Sequence, residues 1–215
     1  ILLGLVGSEM CIRDSIYLDI VKDRLYTCKS DSVARRSCQT SLNYLLNILV
    51  RLIAPILSYT AEEIWQSSER LNNQEESIFL SNYDLSEINE ESIITKSDWN
   101  RIFEIKNDVN QSIEEMRNEN QLKGSLDANV YIEANKNDIK ILEKLGAELH
   151  FLFICSETNI IENNNFKITV KSSGNQKCTR CWHRHESVGT SKKHPDLCNR
   201  CIENVDDEGE KRSFV

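Results

Sequence analysis

The chain has 215 residues, of which 40% are hydrophobic, and its 34 acidic and 26 basic side chains give a formal net charge of −8. This length suits one large or two small domains, and the acidic balance excludes binding to nucleic acid through overall charge, so such a partner would need a local basic patch. No apolar run reaches the ~18 residues of a membrane span, which argues against a membrane-spanning protein.

The first fifteen residues, ILLGLVGSEMCIRDS, do not fit the sequence that follows them. Their apolar part is too short for the apolar region of a signal peptide, and no basic segment precedes it. The segment resembles a translated adapter or junction. We therefore predict that residues 1–15, including Cys11, are foreign to the protein and carry none of its function.

Residues 16–120 have the apolar spacing of a helical domain. A first helix is predicted from Ile16. A longer helix follows, capped by Ser30 or Ser32 and ended by Pro55. The longer helix carries a wide apolar stripe, made of Val33, Cys38, Leu42, Leu45, Leu46, Leu49, Leu52 and Ile53.

A third, short helix is predicted over the segment AEEIWQ. Thr60 and Glu63 have the spacing of a capping box at its start, and Trp65 is expected to pack it against the longer helix. Residues 67–97 are polar and acidic, which predicts a linker with one short element near residues 78–83.

The second half of the chain changes from helical to mixed periodicity. A helix is predicted from Asp98 to Asn120, with Gly124 ending it. Alternating apolar residues then predict a strand that contains Leu126, Ala128, Val130 and Ile132. A short helix over 136–148 and two strands, 151–155 and 166–170, complete a small α+β subdomain.

Two C-x2-C pairs, Cys178 with Cys181 and Cys198 with Cys201, are separated by sixteen residues, 182–197. This is the spacing of a zinc-binding double knuckle, in which four thiolates surround one ion as a tetrahedron. Disulfides and an iron ion are the alternatives. Four protein ligands leave no open position for water, so the metal is expected to be structural and not catalytic.

The composition of the knuckle explains why it would need a metal. Besides its cysteines, the segment 171–205 contains few apolar side chains, and these cannot offset the entropy of ordering the loop. Metal binding would then supply the folding free energy. The knuckle also contains three histidines that could replace a cysteine; because four sulfurs already complete the site, we interpret them as loop residues: His183, His185 and His194.

The remaining cysteines, Cys28, Cys38 and Cys155, lie in helix-like or strand-like contexts and are predicted to be small buried residues of a reduced, cytosolic protein. Residues 16–120 contain no Gly-rich phosphate loop and no nucleophile with its base, so no catalytic residue is predicted there.

Trp182 follows the second cysteine directly and is flanked by Arg180 and Arg184. Its indole could serve as a stacking platform for an unpaired base, or it could pack on the knuckle and shield the sulfurs. Basic residues of the first two helices could contact phosphates or form surface salt bridges. These residues are Lys22, Arg24, Arg35 and Arg36.

Several stretches make a family recognisable. YLDIVKDRLY and DSVARRSCQTSLNYLLNILVRLIAPILSYTAEEIWQ resemble the anticodon-binding helical domain of class I aminoacyl-tRNA synthetases of the isoleucine, valine and leucine group. GSLDANVYI, GAELHFLFICSE, KCTRCWHRHESVG and LCNRCIENVDDEGEKRSFV are similar to the carboxyl-terminal region of bacterial-type isoleucyl-tRNA synthetases. The resemblance covers residues 16–215, and its most specific element is C-x-R-C-W with L-C-x-R-C.

This resemblance implies a mainly α fold: an anticodon-binding helix bundle at 16–120, a small α+β subdomain at 121–172, and a four-cysteine zinc knuckle with its tail at 173–215. Enzymes of the family use ATP and Mg²⁺ to attach isoleucine to its tRNA. Their HIGH and KMSKS signatures, Rossmann core and editing domain do not occur in this sequence. The resemblance therefore implies a fragment that does not aminoacylate by itself.

The implied partners are the tRNA for isoleucine and the remainder of a synthetase chain, in a cytoplasmic monomer without a membrane partner. The resemblance assigns one structural Zn²⁺ to Cys178, Cys181, Cys198 and Cys201. It also suggests tRNA contacts within the knuckle motif and the GEKR tail, at Arg180, Trp182, Arg200, Lys211 and Arg212. The loop HRHESVGTSKKHPD departs from the family pattern, so no contacts are transferred to its residues.

The first two helices and the knuckle would each supply contacts, which suggests RNA binding in two layers. Lys22, Arg24, Arg35 and Arg36 would hold phosphates and set the register, while Trp182 would stack on an unpaired anticodon base. The alternative is a zinc-ribbon module for protein interaction on a helical scaffold, without RNA binding.

Overall fold

The computed structural model describes residues 17–68, 75–82 and 92–214. The segment predicted to be foreign, residues 1–15, lies outside these ranges. The chain divides into two compact units, one formed by Ile1–Arg35 with Ser92–Val215 and the other by Arg36–Glu91. The four-segment division given above stays a prediction. None of the described helices is long and apolar enough to cross a bilayer.

Helix α1 runs over Leu18–Thr27 and helix α2 over Val33–Ile53. The apolar spacing of α1 is confirmed by the burial of Ile20 and Val21. The Oγ of Ser32 accepts a hydrogen bond from the backbone N–H of Arg35 at 3.3 Å, so Ser32 is the cap of α2.

Helix α3, Ser58–Ser67, lies in the second unit, where its Trp65 packs against the end of α2 as predicted. The Trp65 side chain is buried and its Nε1 donates to the Glu75 carbonyl at 2.9 Å. The small core around it contains Val50, Ala54, Ala61 and Ile78. The short element near 78–83 is confirmed as a 3₁₀ turn over Ile78–Leu80.

One prediction about these helices was wrong. α3 begins at Ser58, because the turn after α2 continues directly into it, so Thr60 and Glu63 lie inside the helix and form no capping box. The apolar stripe of α2 is only partly buried, since side chains such as Leu45 and Leu52 are exposed.

Helix α4, Lys96–Asn118, supplies one wall of the main core. Thr95 and Asp98 form a reciprocal capping box at its start. The predicted stop at Gly124 was wrong, because the left-handed residue is Asn120, with φ of 58°. The Asn120 N–H bonds the carbonyl of Arg117 and the Gln121 N–H bonds that of Met116, which is the Schellman arrangement.

A three-stranded sheet covers α4. Its strands are β1, Ala128–Ala134, β2, Glu157–Glu162, and β3, Lys167–Ser172, in the order β2-β1-β3. β1 pairs in parallel with β2 and antiparallel with β3, so Ile132 lies between Ile160 and Ile168. Side chains of the central strand β1 alternate between buried and half-buried, as predicted.

The crossover from β1 to β2 contains helix α5, Lys136–Glu143, and the short helix α6, Leu149–Phe153. The strand predicted at 151–155 was wrong, because most of this segment belongs to α6. A short apolar run that is buried on all sides has the same pattern in a helix as in a strand, so periodicity does not distinguish the two. The edge strand β2 was missed, since its polar, largely exposed sequence ETNIIE carries no alternating pattern.

The main core lies between α4, the sheet and the crossover helices. After β3, the chain enters the four-cysteine segment, which ends in helix α7, Asn199–Asp206. The fold class is therefore confirmed: the protein is mainly α, with a small α+β part and a four-cysteine knuckle.

Candidate metal centre and nucleic-acid interface

The four knuckle cysteines come from two separate segments. Cys178 and Cys181 lie on the loop after β3, whereas Cys198 is the N-cap residue of α7 and Cys201 lies in its first turn. All four side chains are buried, and their Sγ atoms lie within 4.8 Å of one another. Four sulfurs ~2.3 Å from one tetrahedral ion would lie about 3.8 Å apart. The Sγ atoms of Cys181 and Cys198 are 3.7 Å apart, which fits such an ion.

Hydrogen bonds around the cluster favour thiolates. The backbone N–H of Cys198 donates to the Sγ of Cys178 at 3.4 Å, and Nη1 of Arg180 lies 3.9 Å from the Sγ of Cys201. Hydrogen bonds from the Cys198 and Cys201 thiols lower the pKa of Cys181, and the hydrogen bonds to Cys181 raise the pKa of Cys198 and of Cys201. Of these three cysteines, Cys181 therefore loses its proton most readily. Because thiolates are the form that binds metal, the arrangement is chemically suited to a soft divalent cation.

The alternative of disulfides does not hold in this structure, because all seven described cysteines are free. Cys28, Cys38 and Cys155 are buried, as predicted. The histidines of the knuckle are engaged elsewhere: His185 with Ser187, His194 with Asp206, and His183 with the Cys181 carbonyl. They therefore have the loop positions that the sequence suggested.

Trp182 is exposed over 61% of its surface, so its indole does not shield the sulfurs. The residue has a φ of 68°, a left-handed conformation that is uncommon for a bulky side chain. Its N–H bonds the Cys178 carbonyl at 3.0 Å, which ties this conformation to the cysteine turn. An exposed aromatic ring held in a strained conformation is typical of a functional position.

Trp182 lines a groove of about 600 Å³. The other walls come from α1, from the residues before β1 and from the end of α6. Apolar side chains line much of it, among them Ile20, Leu126, Phe151 and Ile154. Of the residues predicted to contact tRNA, Lys22, Arg180 and Trp182 line the groove. The lining also contains Asp19 and Asp23, whose carboxylates pair with Lys22 and Arg200. An apolar groove with cations at its edge suits a ring that carries a nearby phosphate.

Sequence reasoning missed two residues at this groove. Tyr26 lines it and is exposed over 75% of its surface. The Nζ of Lys177 lies 5.6 Å from the centre of the Trp182 ring, at its face. Tyr26 could have been found from the sequence, because it is an aromatic residue outside the apolar spacing of α1. The place of Lys177 beside Trp182 could not, because it depends on the β-bridge between Lys177 and Arg184.

Arg180 holds the knuckle against α1, because its Nη1 donates to the carbonyl of Thr27. Among the described residues, no carboxylate pairs with Arg180; its Nη1 lies between the Thr27 carbonyl and the Sγ of Cys201, and the residue also lines the groove. Lys22 is exposed on α1 and donates to Asp19 at 2.5 Å.

Arg200 and Arg212 lie against carboxylates of the chain. Nη1 and Nη2 of Arg200 donate to the two oxygens of Asp23 at 2.7 and 2.9 Å, and Arg212 also donates to Asp23. Although burial acts to raise it, the pKa of Asp23 is held well below its usual range by the hydrogen bonds and charge of Arg200 and by the charge of Arg212. The predicted RNA contacts of both arginines stay predictions.

The remaining predicted contacts are not among the residues that line the groove. Arg24 is buried, with its guanidinium 3.8 Å from Glu148. Arg35 is half-buried, while Arg36 and Lys211 are exposed. Among the described residues, no carboxylate pairs with Arg35 or Arg36, which leaves both as candidates for phosphate contacts.

Comparison with known proteins gives matches for both parts of the chain. The family described as "Anticodon-binding domain of tRNA ligase" matches residues 10–139, and the family "Zinc finger found in FPG and IleRS" matches residues 175–204. Similar proteins include the isoleucine–tRNA ligases of Francisella philomiragia, 41% identical over 214 residues, and of Hahella chejuensis, 42% identical over 216 residues. Each match covers 94% of this chain and 23% of the relative, so the chain spans about a quarter of their length. Because the first family covers more than half of the chain, the protein belongs to the family of anticodon-binding domains of tRNA ligases.

Proposed function

We propose that the chain binds the anticodon stem and loop of an isoleucine tRNA, as the tRNA-recognition part of an isoleucine–tRNA ligase. The observation that carries this proposal is the exposed Trp182 ring, which edges an apolar groove beside the carboxylate-free Arg180. An unpaired loop base stacks on such a ring, and the adjacent cations Lys22, Lys177 and Arg180 meet the phosphates.

The proposal includes one structural Zn²⁺ bound by Cys178, Cys181, Cys198 and Cys201. The ion supplies folding free energy to the knuckle and takes no part in chemistry, because four protein ligands close its coordination sphere. Iron in the same sulfur cage is distinguished by elemental analysis and by its visible absorption.

The ligase activity of the relatives needs residues that this chain does not carry. In this proposal, ATP and Mg²⁺ bind to a catalytic core on the remainder of the synthetase chain, in a cytoplasmic monomer. The 215 residues orient the tRNA by its anticodon and are inactive by themselves. Aminoacylation by the isolated chain would contradict the assignment of catalysis to the remainder of the synthetase chain.

Trp182→Ala is expected to weaken binding of an RNA hairpin, with the anticodon stem and loop of an isoleucine tRNA, by about 1–3 kcal/mol with little change in salt dependence. Arg35→Ala should instead reduce the salt slope of log K by about 0.7–0.9, since it removes one phosphate contact. Fluorescence anisotropy across a series of KCl concentrations measures both quantities.

Trp182→Phe is the matched control, because it keeps an aromatic face and should retain most of the affinity. Equal affinities of the Ala and Phe variants would remove the stacking role. No saturable binding of the wild-type chain to the hairpin would favour the alternative function, a zinc-ribbon module for protein interaction.

A further inference from the structure

A four-residue ionic cluster joins the knuckle, the tail and α1. Both oxygens of Asp23 on α1 accept hydrogen bonds from Arg200 of α7, at 2.7 and 2.9 Å, and Arg212 of the tail donates to the same carboxylate. Glu210 accepts from Arg200 at 3.2 Å and from Arg212 at 3.3 Å. Two carboxylates therefore neutralise two guanidinium groups, and their hydrogen bonds offset part of the cost of removing four charges from water.

The cluster is well packed. The side chain of Arg212 is only 1% exposed, and the guanidinium carbons of Arg212 and Arg200 lie 3.4 and 4.8 Å from the centre of the Phe151 ring. Asn204 of α7 adds two hydrogen bonds: its Oδ1 accepts from the backbone N–H of Lys29 at 3.0 Å, and its Nδ2 donates to the carboxylate of Glu210 at 3.0 Å.

The positions of Asp23 and Arg200 in the chain connect the ionic cluster to the groove. Asp23 lies on the helix that presents Lys22 and Tyr26 to the groove. Arg200 lies between Cys198 and Cys201, two of the residues that form the sulfur cluster. The bond between them therefore connects one wall of the groove to the second cysteine segment, which meets the first segment, and with it Trp182, at the sulfur cluster.

We propose that Asp23 is the positioning residue of the groove, and that by holding Arg200 it fixes the metal-binding knuckle, and with it the Trp182 ring, against α1. This inference rests on the proposed function. Asp23 acts through Trp182 and makes no RNA contact itself, since both of its oxygens are occupied by arginines. Arg180 ties the Trp182 loop to Thr27 at the end of α1. The Asp23–Arg200 bond adds a second tie, and both are needed to keep the Trp182 ring in register with the α1 wall.

The test compares Asp23→Asn with the wild-type 215-residue chain, each loaded with zinc, in binding to the fluorescent anticodon hairpin. We expect the affinity to fall about tenfold or more, because removal of one partner leaves buried positive charge uncompensated. Asp138→Asn is the matched control: Asp138 also accepts two bonds from one arginine, Arg101, at 2.9 and 2.8 Å, but does not line the groove. This variant should bind within about twofold of wild type.

Two further readouts separate positioning from folding. Asp23→Asn should keep one zinc per chain and the wild-type circular dichroism, and loss of either would overturn the proposal by making Asp23 a folding residue. The double variant Asp23→Asn with Trp182→Ala should bind no more weakly than the weaker single variant, since coupled residues are not additive. Multiplied losses, or unchanged affinity of Asp23→Asn, would also overturn it. Failure of the wild-type chain to bind would instead reject the proposed function.

Discussion

Removing the metal with a chelator, or replacing Cys201 with Ser, is expected to unfold the knuckle and to leave the helical part of the chain intact. The described core of the knuckle consists of the four cysteines with Val188 and Leu197. Burial of two such aliphatic side chains contributes about 1.5–3 kcal/mol each. A structural zinc site contributes about 10–16 kcal/mol. The ion therefore dominates the stability of this segment.

Limited proteolysis with mass spectrometry checks this expectation, together with metal analysis. New cleavage sites should appear between residues 175 and 206, while the far-ultraviolet circular dichroism changes only by the loss of the eight-residue α7. Cys155→Ser is the control, because Cys155 is buried outside the sulfur cluster and its replacement should leave the metal bound. A metal-free chain with an unchanged cleavage pattern would show that the knuckle needs no ion.

Lys106 is expected to make the stability of the first unit depend on pH. Its side chain is buried in α4, and its Nζ donates one hydrogen bond, at 2.6 Å, to the carbonyl of Leu152. Burial lowers the pKa of Lys106 to about 8, while the charges of Cys155 and Asp19 act weakly in the opposite direction. No carboxylate in the described part of the chain lies within bonding distance of Lys106, so this buried lysine loses its proton readily in the folded state.

The sign follows from proton binding. Between the folded pKa of about 8 and the ordinary value of 10.5, the unfolded chain holds a proton that the folded chain has released. The free energy of unfolding should therefore rise with pH in this window, by about 1.4 kcal/mol per unit and about 3 kcal/mol in all, and this contribution should be lost as the pH falls to 8.

Urea denaturation of the wild type and of Lys106→Met between pH 7 and pH 10 isolates this effect as a difference between two proteins. Burial also raises the pKa of the Cys155 thiol to about 12, which opposes the rise, but that thiol is present in both proteins. Lys140→Met, an exposed change on α5, is the matched control and should run parallel to wild type. Parallel curves for Lys106→Met would contradict the assignment.

The elements that sequence reasoning placed well carry strong local periodicity. α4 buries Ile102, Ile105 and Val109 on one face, and β1 alternates as its sequence requires. The elements that sequence reasoning placed wrongly have no hydrophobic periodicity that distinguishes a helix from a strand. α6 is a short apolar run buried throughout, and β2 gains its strand conformation only by pairing with β1.

The four-cysteine cluster and the family were both predictable from the sequence, because cysteine spacing and helical period are properties of neighbouring residues. The partners of the knuckle arginines, in contrast, depend on tertiary contacts. Arg180 and Arg200 occupy the same C-x-R-C context, yet Arg200 meets Asp23, which lies 177 residues away in the chain, while Arg180 meets a carbonyl. The exposure of Trp182 was also decided there. Pairing across such distances depends on packing of whole elements, which no local pattern of charge or hydrophobicity encodes.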